Sequence, residues 1–100
     1  MSVTQKLDRN NNNLVISITG SFNFSEHPGF RDSYRDIEPD KNLNVSVDLA
    51  NTEYMDSSAL GMLLLLDEHF SDQRINIINC SDYIKQVLNI ANFELKFNIT

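Results

Sequence analysis

Residues 53–66 read Glu53-Tyr54-Met55-Asp56-Ser57-Ser58-Ala59-Leu60-Gly61-Met62-Leu63-Leu64-Leu65-Leu66, an acidic, hydroxyl-bearing loop that runs straight into a leucine-rich helix. The side-chain oxygens of Asp56, Ser57 and Ser58 can accept hydrogen bonds from first-turn N–H groups that lack intrahelical partners. A helix is therefore expected to start here, with Asp56 as its cap. On a wheel of about 100° per residue, Leu60, Leu63 and Leu64 share one side, while Met62, Leu65 and Leu66 spread over the other. A helix apolar nearly all round is either buried completely or keeps an exposed patch for a partner, and at this level both readings stand. In the second, Met62 and Leu65 are the candidate docking residues. Gly61, which costs about 1 kcal/mol relative to alanine inside a helix, points to close approach by the sheet beneath or by a partner above.

Upstream, Leu43, Val45, Val47 and Leu49 alternate with Asn44, Ser46 and Asp48, the pattern of a strand with one buried face. The loop Ala50 to Met55 joins it to the helix. Leu14 to Thr19 gives a β-branched strand ended by Gly20, preceded by the asparagine turn 10–13 and a weakly alternating first strand over residues 2–9. Residues 21–24 are a loop or strand extension. Ser25 can cap a helix with Pro28 in its first turn and Phe30, Tyr34 and Ile37 as its apolar stripe.

Downstream, the leucine-rich helix should end near Ser71 and Asp72, and Arg74 to Cys80 supplies a strand. Ser81-Asp82 caps a helix with Ile84, Val87, Leu88 and Ala91 on one side, and Phe93 to Ile99 alternates as a last strand. The order ββαβαβαβ predicts an α/β fold: a mixed sheet of about five strands with three helices packed on it. Residues 1–100 form a single domain, long enough to bury about 60 to 70% of the surface its unfolded chain exposes.

Eight Lys and Arg against fourteen Asp and Glu leave a net charge of −6, with no basic stripe to neutralise nucleic acid and no attraction to anionic membranes. The longest apolar run, Met62 to Leu66, is too short to span a bilayer. Cys80 is the single cysteine and reads as a small, buried or half-buried apolar residue. With no apolar signal core after Met1, the expected compartment is the cytoplasm.

Enzyme chemistry finds little support. A nucleophile elbow wants glycine two residues before and two after its serine, and Met55 and Ala59 stand there for Ser57. Of the two histidines, His69 lies about three turns further down the same helix and His27 precedes another; both are expected to be surface polar residues. Metal-ligand spacings such as CxxC or HxxxH do not occur, and Asp48, Glu53 and Asp56 read as a solvated arrangement favourable to a helix dipole. No catalytic residue, metal or cofactor is expected.

The block Asp56-Ser57-Ser58-Ala59-Leu60-Gly61 after Val47-Asp48-Leu49 resembles the signature of the STAS domain of bacterial anti-sigma factor antagonists, usually Asp-Ser-Ser-Gly-Leu-Gly. Ile18-Thr19-Gly20 and Ile90-Ala91-Asn92-Phe93 are also similar to that family. The resemblance implies a partner-switching module rather than an enzyme. Its first serine, here Ser57, would be phosphorylated by an anti-sigma factor that is itself a serine kinase, with Ser58 second in preference. The unphosphorylated form would bind that anti-sigma factor and release a sigma factor, and a metal-dependent serine phosphatase would reset the switch. Asp56, Ser58, Gly61, Met62, Leu65 and Asn23 would form the partner surface. Ala59 departs from the usual glycine, Ser21 and Asn23 stand where the family often has acids, and the sequence stops at Thr100 before the family's common C-terminal helix, so surface at that end is expected to differ. The alternative is a non-catalytic STAS subunit of a transport or signalling complex, without a phosphoswitch.

Overall fold

A computed structural model describes residues 2–100. Its main sheet holds strands β1 (Val3–Asp8), β2 (Asn13–Ile18), β4 (Asn44–Asp48), β6 (Asn76–Ile78) and β7 (Asn98–Ile99), side by side in that order. Only β1 runs antiparallel; β2, β4, β6 and β7 are mutually parallel. The expected mixed sheet with three helices is thus present: α1 (His27–Asp32), α2 (Ser57–His69) and α3 (Asp82–Ile90). Leu14, Ile16 and Ile18 of β2, Val45 and Val47 of β4 and Ile77 of β6 are buried, while the alternate residues Val15, Ser17, Ser46 and Ile78 are only half-buried. The period-two pattern therefore puts one face of the sheet under the helices and leaves the other partly open to water.

A second, two-stranded parallel sheet pairs β3 (Gly20–Phe22) with β5 (Thr52–Met55). The sequence pattern treats residues 50–55 as a loop, because four residues with little alternation carry no strand signature. Tertiary pairing makes the strand. Gly20 turns at φ +85°, where a side chain would be strained, and its N–H donates to Asn51 O at 2.9 Å. Thr52 is buried, and its Oγ1 donates to Ile18 O at 2.8 Å.

Three further boundaries differ from the expectation. Helix α1 is short; Phe24–Glu26 form a 3₁₀ turn before it, and Asn23 rather than Ser25 caps that turn, its Oδ1 accepting the Ser25 N–H at 3.0 Å. Beyond Asp32 the chain continues in turns that still bury Tyr34 and Ile37. Strand β6 covers only the middle of residues 74–80. The final strand shrinks to Asn98–Ile99 because Phe93 and Phe97 are both buried, with ring centroids 5.3 Å apart. A spacing of four suits a helical turn rather than strand alternation, so residues 93–95 form a 3₁₀ turn. The Asn10–Asn13 turn is as expected, with Asn12 at φ 53°, a region asparagine tolerates.

Candidate functional site

The parallel strands all point their C-terminal ends the same way, so the starts of α1, α2 and α3 gather at one end of the molecule. There β5 delivers the chain to α2. Met55 is buried and anchors the strand, and the Asp56 N–H donates to Phe22 O at 3.3 Å, so the exits of β3 and β5 lie side by side. This contact brings Asn23 next to the head of α2.

Asp56 is the cap. With extended backbone, its Oδ1 accepts the Ala59 N–H at 3.1 Å and the Ser58 hydroxyl at 2.5 Å. The Ser58 hydroxyl, ahead of the Ala59 and Ser58 backbone N–H groups, holds the Asp56 carboxyl below the ordinary carboxylate value despite some opposing desolvation. Two neighbouring residues therefore lock each other. Ser57, the first residue of α2, is exposed, whereas Ser58 is half-buried.

Along α2, Ala59, Met62, Leu63 and Leu66 are buried. These positions recur at i, i+3, i+4 and i+7, the stripe a helix turns to a core. Met62, expected on the docking surface, is therefore a core residue, exposed by only 3%. A helix this uniformly apolar offers no polar contrast from which to pick its inward stripe, and contact with the sheet makes the choice. Leu65 does face outward, 49% exposed, and Leu64 joins it at 40%. Gly61 is exposed, and a Cβ there would meet nothing within 4 Å; the sheet beneath is not what this glycine accommodates.

The histidines are not simple surface residues. His69 is half-buried, with Nε2 2.8 Å from Ile37 O, so that nitrogen carries the donated proton. Its ring packs edge-on to Tyr34 and Phe70, and burial raises the Tyr34 phenol. His27 stacks on Phe24 at 5.7 Å. Both histidines line a cleft of about 410 Å³ between α1 and α2 with Arg31, Tyr34, Leu65 and Glu68. About 18 Å of helix separates His69 from Ser57. Cys80 is half-buried and its thiol is raised by burial. Asp48, Glu53 and Asp56 do not converge: Asp48 accepts from the Ala50 N–H and the Asn79 amide, and no group of three His, Cys, Asp or Glu that could hold a metal occurs among the described residues.

Three exposed aromatics at this end escape a reading centred on α2, one of them Tyr83 at the start of α3. Tyr54 pairs with Ser21 across the β3–β5 ladder and is 50% exposed; Phe24, just beyond β3, is 70% exposed. For Tyr54 the signal is present in the alternation, since its neighbour Met55 points inward, but only the β3–β5 pairing makes that alternation meaningful. Phe24, two residues after inward Phe22, would by alternation point inward as well, and the 3₁₀ turn over Phe24–Glu26 breaks that pattern.

A family model described as "Mlab, STAS domain" matches residues 6–95. The chain belongs to the STAS domain family. Over the whole of both chains it is 41% identical to the STAS-domain containing protein PA14_20770 of Pseudomonas aeruginosa (strain UCBPP-PA14). Among solved structures, this STAS domain superposes on the anti-sigma factor antagonist SpoIIAA in its unphosphorylated form with a TM-score of 0.74 at 15% identity, covering 98% of this chain and 86% of that one. An anti-sigma factor antagonist from Mycobacterium paratuberculosis gives the same score, also at 15% identity, over 98% and 85% of the two chains. At such identities the likeness establishes a shared fold. No helix among the described residues of this STAS domain is long and apolar enough to cross a membrane.

Proposed function

We propose that this STAS domain is a cytoplasmic anti-sigma factor antagonist, not an enzyme, whose binding is controlled by phosphorylation of Ser57. The observation that carries the reading is the division of labour at the head of α2: Asp56 and Ser58 are engaged with each other, leaving Ser57 exposed on a helix that turns Leu64 and Leu65 outward about two turns further on. Unphosphorylated, the domain binds an anti-sigma factor with serine kinase activity, and the sigma factor is released. A metal-dependent serine phosphatase reverses the modification. SpoIIAA, of the same fold, is known in an unphosphorylated form.

The physics supports a switch that leaves the fold intact. A phosphate on Ser57 adds about −1.5 to −2 charge at pH 7, and at the first position of α2 it meets unpaired N–H groups and the positive end of the helix dipole. In a complex, the same dianion must lose its water beside Asp56 and Glu53 and cannot lie against apolar partner groups. A penalty of about 3 kcal/mol weakens binding roughly a hundredfold. Isothermal titration of the kinase should therefore show Ser57→Asp binding about a hundredfold more weakly than Ser57→Ala, and equal affinities would sink the phosphoswitch. Ser57→Ala should abolish phosphate incorporation and Ser58→Ala should leave the acceptor intact. Outward Leu64 and Leu65 would equally suit a permanent subunit of a transport or signalling complex; native protein would then carry no phosphate and co-purify with that complex at fixed stoichiometry.

A further inference from the structure

We propose that the strand-exit end of the domain docks a basic protein surface, with Phe24 and Tyr54 as its apolar anchors. The proposal rests on the reading above only in placing a protein partner at this end, and not on phosphorylation of Ser57.

The anchors come from the geometry. Tyr54 and Phe24 are exposed by 50% and 70%, in segments held together by the β3–β5 ladder and by the Asp56 N–H bond to Phe22 O. Phe24 is backed by the stacked His27 ring and by the 3₁₀ turn that Asn23 caps, so it is presented from ordered backbone. Rigid, exposed aromatic side chains lose little entropy on binding and dominate interface energetics.

The partner's chemistry follows from how the fold sorts its charges. No Lys or Arg occurs in residues 10–30, 42–73 or 75–84. Those segments build the exits of β2, β4 and β6, the whole β3–β5 sheet and the head of α2; Glu26 shares the 3₁₀ turn of Phe24, and Glu53 and Asp56 flank Tyr54 along the chain. Most cations lie elsewhere: Arg9, Lys41, Arg74 and Lys96 are at the opposite end, before β2, β4, β6 and β7, Lys6 is in β1, Lys85 sits one turn into α3 and Arg35 pairs with Asp32. The nearest is Arg31, one turn along α1 from the His27 that stacks on Phe24. An acidic rim around apolar anchors steers a basic face into register and repels acidic ones. A second copy of this chain would bring its own acids against the rim, and an anionic membrane would be repelled as well. Rim and switch act at different stages. The rim attracts through water before contact, whereas a phosphate on Ser57 would have to be desolvated inside it.

Chemical-shift mapping on the full, isotope-labelled chain tests this with two amphipathic helical peptides, one of Leu and Lys and one of Leu and Glu. The Leu–Lys peptide should perturb amides of residues 22–26 and 53–57. Its affinity should fall about tenfold between low and physiological salt and about tenfold on Phe24→Ser, a surface change that leaves the fold intact. Equal binding of the Leu–Glu peptide, perturbations centred on exposed Ile90 and Leu95, indifference to Phe24→Ser, or sedimentation showing self-association through Phe24 would each overturn it. Because no kinase enters this experiment, its failure leaves the Ser57 switch standing, and equal kinase affinities of the Ser57 variants leave this surface standing.

Discussion

Helices α2 and α3 both begin where a strand leaves the sheet, and both are capped by a side chain, but they use their hydroxyls oppositely. In α3 the cap is Ser81 itself, whose Oγ accepts the Ile84 N–H at 3.2 Å. In α2 the carboxylate of Asp56 does that work, and Ser57 is left over. The faces differ too: α3 buries Ile84 and Leu88 and exposes Asp82, Gln86 and Asn89 together with Tyr83 and Ile90 at its two ends, whereas α2 buries four residues and turns the adjacent pair Leu64 and Leu65 outward from its middle. The contrast teaches that a cap and a modifiable serine need two residues. Where only one hydroxyl heads the helix, it is already employed.

The contrast can be broken most decisively in the core. Leu63→Ala in α2 and Leu88→Ala in α3, both fully buried, should each cost about 2–5 kcal/mol in urea denaturation. A comparable loss from Leu64→Ala would erase the inside and outside of α2.

Next in size are the caps. Ser81→Ala should cost about 1 kcal/mol, with no change in that cost at acid pH. Asp56 differs in kind. Its folded carboxyl lies below the ordinary 3.8, so its contribution is complete above that value and is lost as pH falls through the lower folded value. The stability difference between the native chain and Asp56→Asn should accordingly shrink below pH 3.8. Ser58→Ala removes the largest cause of the depression and should move the loss to higher pH; an unchanged acid limb would show that the two side chains are not locked together.

Gly61→Ala should stabilise α2 by about 0.5–1 kcal/mol, because the added methyl meets only open space. If a partner packs closely there, the same variant binds it less well, a split that calorimetry and titration can read separately. Smallest of all, Leu65→Ala should change stability by less than about 0.5 kcal/mol.

How legible these features are in the sequence depends on contrast. Strand β2, strand β4 and helix α3 alternate polar with apolar residues at one clear period, so their inward faces are read directly. The Asp56 cap is equally plain, because an acid followed by two serines before an apolar run has few other uses. Met62 is the counterexample: amid leucines it looks like surface and lies in the core. The β3–β5 pair and the 3₁₀ turn at Phe93 are likewise too short for local periodicity to outweigh what their neighbours require.

By itself, then, the sequence determined the α/β order, the position of the helix head, and a family signature at Asp56 to Gly61. Only the tertiary structure decided which leucines face water, that Ser58 rather than Ser57 is tied to Asp56, and that Phe24 and Tyr54 are exposed. The physical reason is range. Caps and periodicity act within a few residues of chain, whereas burial and exposure are set by contacts between segments such as Phe22 and Asp56, which lie far apart in sequence and meet only when the strands pair.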